Sequence, residues 1–402
     1  MPKASPPGTP PATETANHDM IRPMSVWDSL VGQGKAVAEL QRAVAAGDTS
    51  SMTHAWLLTG PPGSGRSVAA MAFAAALECP NGGCGVCNVC RTALSGAHPD
   101  VTLCRTEQLS IGVDMARELA QKAALTPMSG PWQVLVVEDA DRLTEQAANA
   151  LLKPMEEPAT RTVWVLCAPN ADDLAVTIRS RTREVRLVTP SDDDVVRLLT
   201  AQGVDQRLAL AAARAAQGHV GKARALATDT AARQARDAII ALPGQWATLG
   251  GCLNSAAEVV GQAQAKATAL TAELDAKEKA DLDLALGFGT KGARPRNAAT
   301  AVKQLEEQQA ARAKRLQRDE LDNVLTELST WYRDVLALQT GAPADAVINV
   351  AAATRASERA QATTASQTVA CLDALLAARR ALDRNVAPLL AIEALFTQLG
   401  GF

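Results

Sequence analysis

"LLTGPPGSGRSVAA", Leu57 to Ala70, is the stretch from which the rest of the chain is read. A short apolar run ends at Gly60, a glycine-rich turn follows, and an alanine-rich helical segment begins near Ser67. "GPPGSGRS", Gly60 to Ser67, fits the pattern G-x-x-x-x-G-[K/R]-[S/T]. In such a loop Gly60, Gly63 and Gly65 let backbone N–H groups turn inward around phosphate oxygens. The helix that follows presents its positive end to the same anion. A lysine then reaches the outer phosphates and a Ser or Thr hydroxyl binds magnesium. Ser67 meets the second need, but Arg66 stands in the lysine position. A guanidinium is planar and wide, and does not replace a slim ammonium.

The acidic strand downstream departs in the same direction. "WQVLVVEDAD" (Trp132 to Asp141) reads as a strand ending in acids, in the order Glu138–Asp139. A hydrolytic site uses the shorter acid to hold the metal shell and the longer one after it to activate water. Here each is a methylene away from that need, and displacements on the order of 1 Å cost about 10²-fold in rate. The surroundings point to descent from a nucleotide-binding fold; Arg66 and the reversed acids argue against hydrolysis today.

Strands and helices alternate around this loop. "AWLLTG", "VTLCR", "WQVLVVEDAD", "TVWVLCAP" and "REVRLV" are near-continuous apolar runs separated by helical segments. That pattern predicts an α/β fold with a parallel sheet covered on both faces. After "TPSDDDVV" the strands stop, and Ser191 is a candidate N-cap for a small helical unit. The organisation read from these shifts is a disordered tail over 1–23, an α/β core over 24–188, a helical unit over 189–240 and an all-α region over 241–402. Within the last, 287–319 reads as an insertion. It is a Gly-, Pro- and base-rich loop, "GFGTKGARPRN" (Gly287 to Asn297), then a charged helix over 298–319 read as solvated.

Composition narrows the function. The 402 residues suffice for two or three cores. The net charge of -3 gives no global field for nucleic acid or an acidic membrane, so DNA contact falls to a local patch or to partner subunits. The first nineteen residues lack the apolar segment of a signal peptide, and no run approaches the ~18 apolar residues of a membrane span. A cytoplasmic protein is expected.

Four of the eight cysteines, Cys79, Cys84, Cys87 and Cys90, crowd into "CPNGGCGVCNVC". Four thiolates so spaced can surround one tetrahedral Zn²⁺. C-x-x-C pairs taken alone also suit redox pairs or iron–sulfur ligation. His98, eight residues further on, reads as a surface or turn residue.

"SLVGQGKAVAELQRAVAAG", "THAWLLTGPPGSGRS", "CGVCNVC", "NALLKPMEEP" and "VTIRSRTREVRL" occur in this order. Together they resemble the bacterial DNA polymerase III clamp loader family of the AAA+ class, over about residues 24–230. The missing lysine resembles the family's delta-prime branch rather than the ATP-hydrolysing gamma/tau branch, and "ELSTWYRDVLALQTG" (Glu327 to Gly341) resembles the delta-prime C-terminal region. The resemblance implies a RecA-like AAA+ core with an embedded zinc module at 79–90, a helical lid, and a helical collar that joins subunits. Trp331 and Tyr332 would be collar packing.

It also implies a part in a five-subunit ring with gamma/tau and delta subunits, opening a beta sliding clamp and placing it on primer-template DNA. The cofactor implied is structural Zn²⁺; no functional ATP site and no intrinsic ATPase are expected, within the DNA polymerase III holoenzyme, a nucleotidyltransferase complex. The family's arginine finger falls at Ser180–Arg181–Thr182, where the usual Cys is replaced. In the family Arg181 would point into the neighbouring subunit's ATP site, an effect worth ~10³–10⁵ in other nucleotide hydrolases. A purely structural Arg181 would cap the edge of the sheet or pair with Glu184. The two sensor positions fall at Ala168–Pro169 and at Gly221, beside Lys222, and neither keeps the family's polar group. Val31 and Gln33 mark the family's adenine-side segment. Lys153 in "NALLKPMEEP" is a candidate DNA-phosphate contact, against a lysine paired with Glu157. Two rivals remain: a gamma/tau-like active ATPase that tolerates Arg66, and a degenerate AAA+ scaffold outside replication.

Overall fold

The computed structural model describes residues 25–47, 52–106, 110–286, 298–344 and 346–402. The tail over 1–23 and the loop Gly287 to Asn297 lie outside them. Five strands form one parallel sheet: β1 (Ala55–Thr59), β2 (Val101–Cys104), β3 (Gln133–Val137), β4 (Thr162–Ala168) and β5 (Arg183–Arg186), in the order β2-β3-β4-β1-β5. The apolar strands are buried on both faces, with a period of two. Trp56, Leu58, Val134, Val136, Val163 and Val165 point to one side. Ala55, Leu57, Leu135, Val137, Trp164 and Leu166 point to the other. Each fully buried Val or Leu contributes about 1.5–3 kcal/mol.

Helices cover both faces. α1 (Gly34–Ala46), α2 (Arg66–Glu78) and α3 (Asn88–Leu94) lie on the first, and α4 (Val113–Ala123), α5 (Glu145–Glu156) and the single turn α6 (Val176–Arg179) on the second. In α2 ten of thirteen residues are buried, which its alanine-rich sequence permits by bringing backbones close. On α5 the buried stripe is Ala147, Ala148, Leu151 and Met155, and Leu152 is half-buried.

A second apolar cluster joins α7 (Asp192–Ala201), α8 (Gln206–Ala216) and α9 (Val220–Thr228). Ser191 caps α7 in a reciprocal box with Asp194. After α10 (Thr230–Ala241), a third cluster is built by α11 (Leu249–Ala285), α12 (Ala298–Gln339), α13 (Ala353–Ala362), α14 (Ala365–Asp383) and α15 (Pro388–Gly400). Trp331 and Tyr332 sit inside it, edge to face at 4.9 Å. No helix among the described residues is long and apolar enough to cross a membrane.

The 298–319 segment departs from its reading as a solvated helix. It is the first half of α12 and is joined to α11 by polar contacts, with Gln309 Nε2 donating to Asp275 O (3.0 Å). Arg312 is buried at 7% exposure and bonds Asp275 (2.5 Å) and Glu278 (2.5 and 3.0 Å) on α11. The arginine's long apolar stem lets it cross the helix pair while its head meets two carboxylates.

Candidate functional site

The turn after β1 has the shape that a phosphate loop needs. Gly63 and Gly65 take φ of 82° and 90°, and Gly60 N–H donates to Pro169 O (3.2 Å) at the end of β4. Ligands of open α/β sheets bind outside the carboxyl ends of the strands, where this turn lies. The loop is closed on itself, however. The Arg66 guanidinium donates to the carbonyl of Gly60, so it points back into its own turn. His219, the N-cap of α9, packs against Gly63 so closely that a Cβ there would collide with the imidazole. Desolvation against this turn, followed by the charge of Lys222, lowers the His219 pKa.

Both acids at the end of β3 are engaged by arginines of the same chain. Glu138, buried at 7% exposure, accepts from Arg105 Nε (2.6 Å) and Nη2 (3.1 Å). Register places them together, because Glu138 N–H donates to Cys104 O (2.9 Å) at the end of β2. Asp139 sits at φ 51°, in the left-handed region. It accepts from Arg315 Nη2 (3.0 Å), on α12, and lies 3.7 Å from Arg142 Nε. Arg315 also donates to the Thr106 carbonyl. The cleft between the loop, the α7–α10 helices and the α12–α14 wall has a volume of about 1050 Å³. Its charges pair with one another: Arg315 with Asp139, and Arg379 with Asp322.

The remaining positions read from the sequence fall as follows. Ala168 is buried in β4, and Pro169 uses its carbonyl on Gly60. Gln33 is 3% exposed and spends its amide on Ser64 O, Val188 O and Val188 N, which ties the loop to the exit of β5. Lys222, beside Gly221, pairs with Glu327 of α12. Glu327 is 1% exposed and also receives Arg236 of α10 at 2.9 Å. Arg236 bonds Asn349, whose side-chain N–H donates to Asp334 (2.8 Å). A buried polar network therefore fastens α9 and α10 to α12.

Arg181 lies at the opposite edge, on the turn after α6. It pairs with Glu156, the last residue of α5, and not with Glu184, which accepts from Thr59 Oγ1 (2.7 Å). Arg181 Nη1 also donates to Thr177 O (2.7 Å) and Ser180 Oγ (3.2 Å). The two partners keep 33% and 45% side-chain exposure. Lys153 is exposed on α5 and makes no ion pair with Glu157.

The four clustered cysteines converge. Cys79 follows α2, Cys87 caps α3 by accepting from Cys90 N–H (3.4 Å), and Gly82, Gly83 and Gly85 take positive φ between them. All four Sγ atoms lie within 4.8 Å of one another, and Cys79 Sγ is 3.8 Å from both Cys84 Sγ and Cys87 Sγ. A tetrahedron with zinc–sulfur bonds of about 2.3 Å has sulfur–sulfur edges of about 3.8 Å. A disulfide requires about 2.05 Å, so these thiols are unbridged. Burial pushes the Cys79 thiol up, but the N–H groups of Cys84, Gly83 and Asn81 outweigh it and bring the group down to about 6. The residues present thus fit a soft divalent ion. Val26 N–H and Trp27 Nε1 bond the carbonyls of Gly83 and Gly82 (3.0 and 3.3 Å) and bind the module to the core.

His98 corrects the sequence reading: it is buried at 7% exposure, beside Glu78 and Asp100. Burial, then the charge of Asp100, pushes the Glu78 carboxyl up to about 8. Arg105, Arg315 and His219 were not singled out from sequence either. Their partners lie up to 209 positions away, and no local pattern marks such pairs.

Comparison with known proteins agrees with this geometry. Residues 32–191 match the model of the family described as "DNA polymerase III, delta subunit". The DNA polymerase III subunit delta' of Escherichia coli is 34% identical over 195 residues, 47% of this chain and 58% of that protein. That of Pseudomonas aeruginosa is 37% identical over 141 residues, 34% and 43% of the two chains. The subunit gamma/tau of Mycobacterium tuberculosis is 34% identical over 176 residues, 42% and 30%. The chain spans between about a third and three fifths of these relatives. Among solved structures, a DNA polymerase III gamma subunit-related protein of Thermotoga maritima aligns over 90% of this chain and 97% of its own, at 17% identity and a TM-score of 0.41. Over its α/β part the chain is similar to DNA polymerase III delta' and gamma/tau subunits.

Proposed function

We propose that this delta-prime-like chain is a clamp loader subunit that has lost its own ATPase and serves a neighbouring subunit. One observation carries the first half: both acids of β3 are held by arginines of the same chain, Glu138 by Arg105 and Asp139 by Arg315. Neither acid is left to organise magnesium or water, and Arg66 faces its own turn. Gamma/tau and delta-prime relatives match at similar identity, so overall similarity does not choose between them; the paired acids favour delta-prime.

In this reading the core, lid and collar move as one body, because the Lys222–Glu327–Arg236 network joins lid to collar. Arg181 is the arginine finger. Its pair with Glu156 is half-exposed, and such pairs are worth about 0–1 kcal/mol. Releasing it toward a phosphate on an adjacent subunit therefore costs little. Zn²⁺ is held by Cys79, Cys84, Cys87 and Cys90 as a closed structural site; when bound it fixes the module and supplies no reactive position. The partners are gamma/tau and delta subunits, with the beta sliding clamp and primer-template DNA reached through the complex and Lys153 as a phosphate contact. The protein acts in the cytoplasm.

The test is an ATPase and nucleotide-binding assay of the purified chain, alone and with gamma/tau and delta. No turnover alone, together with turnover in the assembly that depends on this chain, supports the reading. Turnover alone would establish the gamma/tau-like alternative, and failure to co-purify with either partner would leave a scaffold outside replication.

A further inference from the structure

The end of α2 buries a carboxylate without a hydrogen bond. Glu78 is 3% exposed, and neither of its oxygens has a hydrogen-bonding partner of normal geometry. It faces His98 and Asp100, 7% and 1% exposed, from the loop before β2. One ligand-type atom from each of the three lies within 4.8 Å of the other two. The backbone makes room for this group: a Cβ on Gly130 would collide with Glu78 Oε2.

Asp100 is locked in place and kept ionised. Burial acts to raise its pKa, but the N–H groups of Met128, Ser129 and Gly130 and the Ser129 hydroxyl outweigh it. Three of those four donors fall on Oδ2, at 2.8 Å each, and one on Oδ1, which keeps a lone pair. His98 Nδ1 receives the Asp100 N–H at 3.3 Å, the long end of the range. The tautomer that accepts there carries its proton on Nε2, and its single Nδ1 lone pair would pass from the Asp100 N–H to an ion on binding. A buried carboxyl beside a carboxylate either takes up a proton or is compensated by a cation, and a cation among three ligand-type side chains satisfies both acids at once.

We propose that Glu78, His98 and Asp100 form a second metal site, distinct from the four cysteines, for a divalent ion of the zinc class. Two Glu78 oxygens, one Asp100 oxygen and one imidazole nitrogen supply four donors, the number Zn²⁺ takes, and their two negative charges match its charge. The site would pin the end of α2 to the β2 approach and to the 128–130 turn, from behind the cysteine module. It is closed to solvent and therefore structural.

Metal content of the full chain, prepared with Zn²⁺ and dialysed against metal-free buffer, tests this. Wild type should hold about two equivalents, and Glu78→Gln and His98→Gln about one. Reconstitution with Co²⁺ should leave the thiolate charge-transfer band of these variants at wild-type strength, since the cysteine site is untouched. About one equivalent in wild type would overturn the proposal, as would two retained in both variants. The wild-type count decides even if a variant folds poorly.

Discussion

At the carboxyl end of β3, two acids face arginines drawn from the same chain, one of them 176 positions away on α12. At the far edge of the same sheet, Arg181 rests on an exposed glutamate and its own turn. The first corner has absorbed its charges: the Arg315 and Asp139 side chains are 15% and 31% exposed, in a cleft where Arg379 also meets Asp322. The second keeps a cation at the surface, with a partner that holds it weakly. In the proposed reading, internal neutralisation takes the acids out of use for hydrolysis, whereas the exposed Arg181 pair leaves a group for use outside the chain.

Four changes would break or sharpen this contrast. Arg181→Ala should depress turnover at the adjoining ATP site of the assembled complex by about 10³-fold, and Arg181→Lys by nearly as much. Assembly, followed by gel filtration, should be unchanged, and unaltered turnover would sink the finger assignment. Glu327→Gln leaves Lys222 and Arg236 without their buried counter-charge. It should cost about 3 kcal/mol in denaturant unfolding; a loss near zero would mean that lid and collar are not joined through this residue.

Arg315→Ala should cost about 1–2 kcal/mol and speed amide exchange around Thr106 and Asp139. Combined with Arg66→Lys it should still give no turnover, because Glu138 remains tied to Arg105; recovered hydrolysis would show that the α12 contact alone had silenced the site. The smallest effect concerns pH. The folded pKa of His219 lies below its ordinary value of 6.5, so its contact with Gly63 is at full strength above that value and weakens as pH falls. Protection factors in residues 60–65, taken relative to the intrinsic exchange rate at each pH, should fall a few-fold between pH 7.5 and 5.5, less than about 1 kcal/mol; equal protection across that range would remove His219 as the lock.

Much of the α/β part was legible from local pattern. All five strands lie within the runs read for them; β1, β3 and β4 are buried on both faces, and a strand so buried has few alternatives, whereas β5 is largely exposed. The cysteine cluster was legible because all four thiols fall within twelve residues. His98 was misread because its burial depends on Glu78, twenty positions earlier and at the end of another element. The 298–319 helix was misread because a charged surface pattern looks the same whether its arginines meet water or carboxylates on a neighbouring helix.

The sequence by itself determined the loop, its misplaced Arg66, the reversed acids and the thiolate cluster, because each is a matter of residue type at short spacing. Only the tertiary structure decided where the charges are spent. Arg105 and Arg315 reach Glu138 and Asp139, Glu327 gathers Lys222 and Arg236, and Arg181 stays at the surface. The reason is physical: Coulomb and hydrogen-bond energies depend on distance and burial in space, and sequence separation constrains neither.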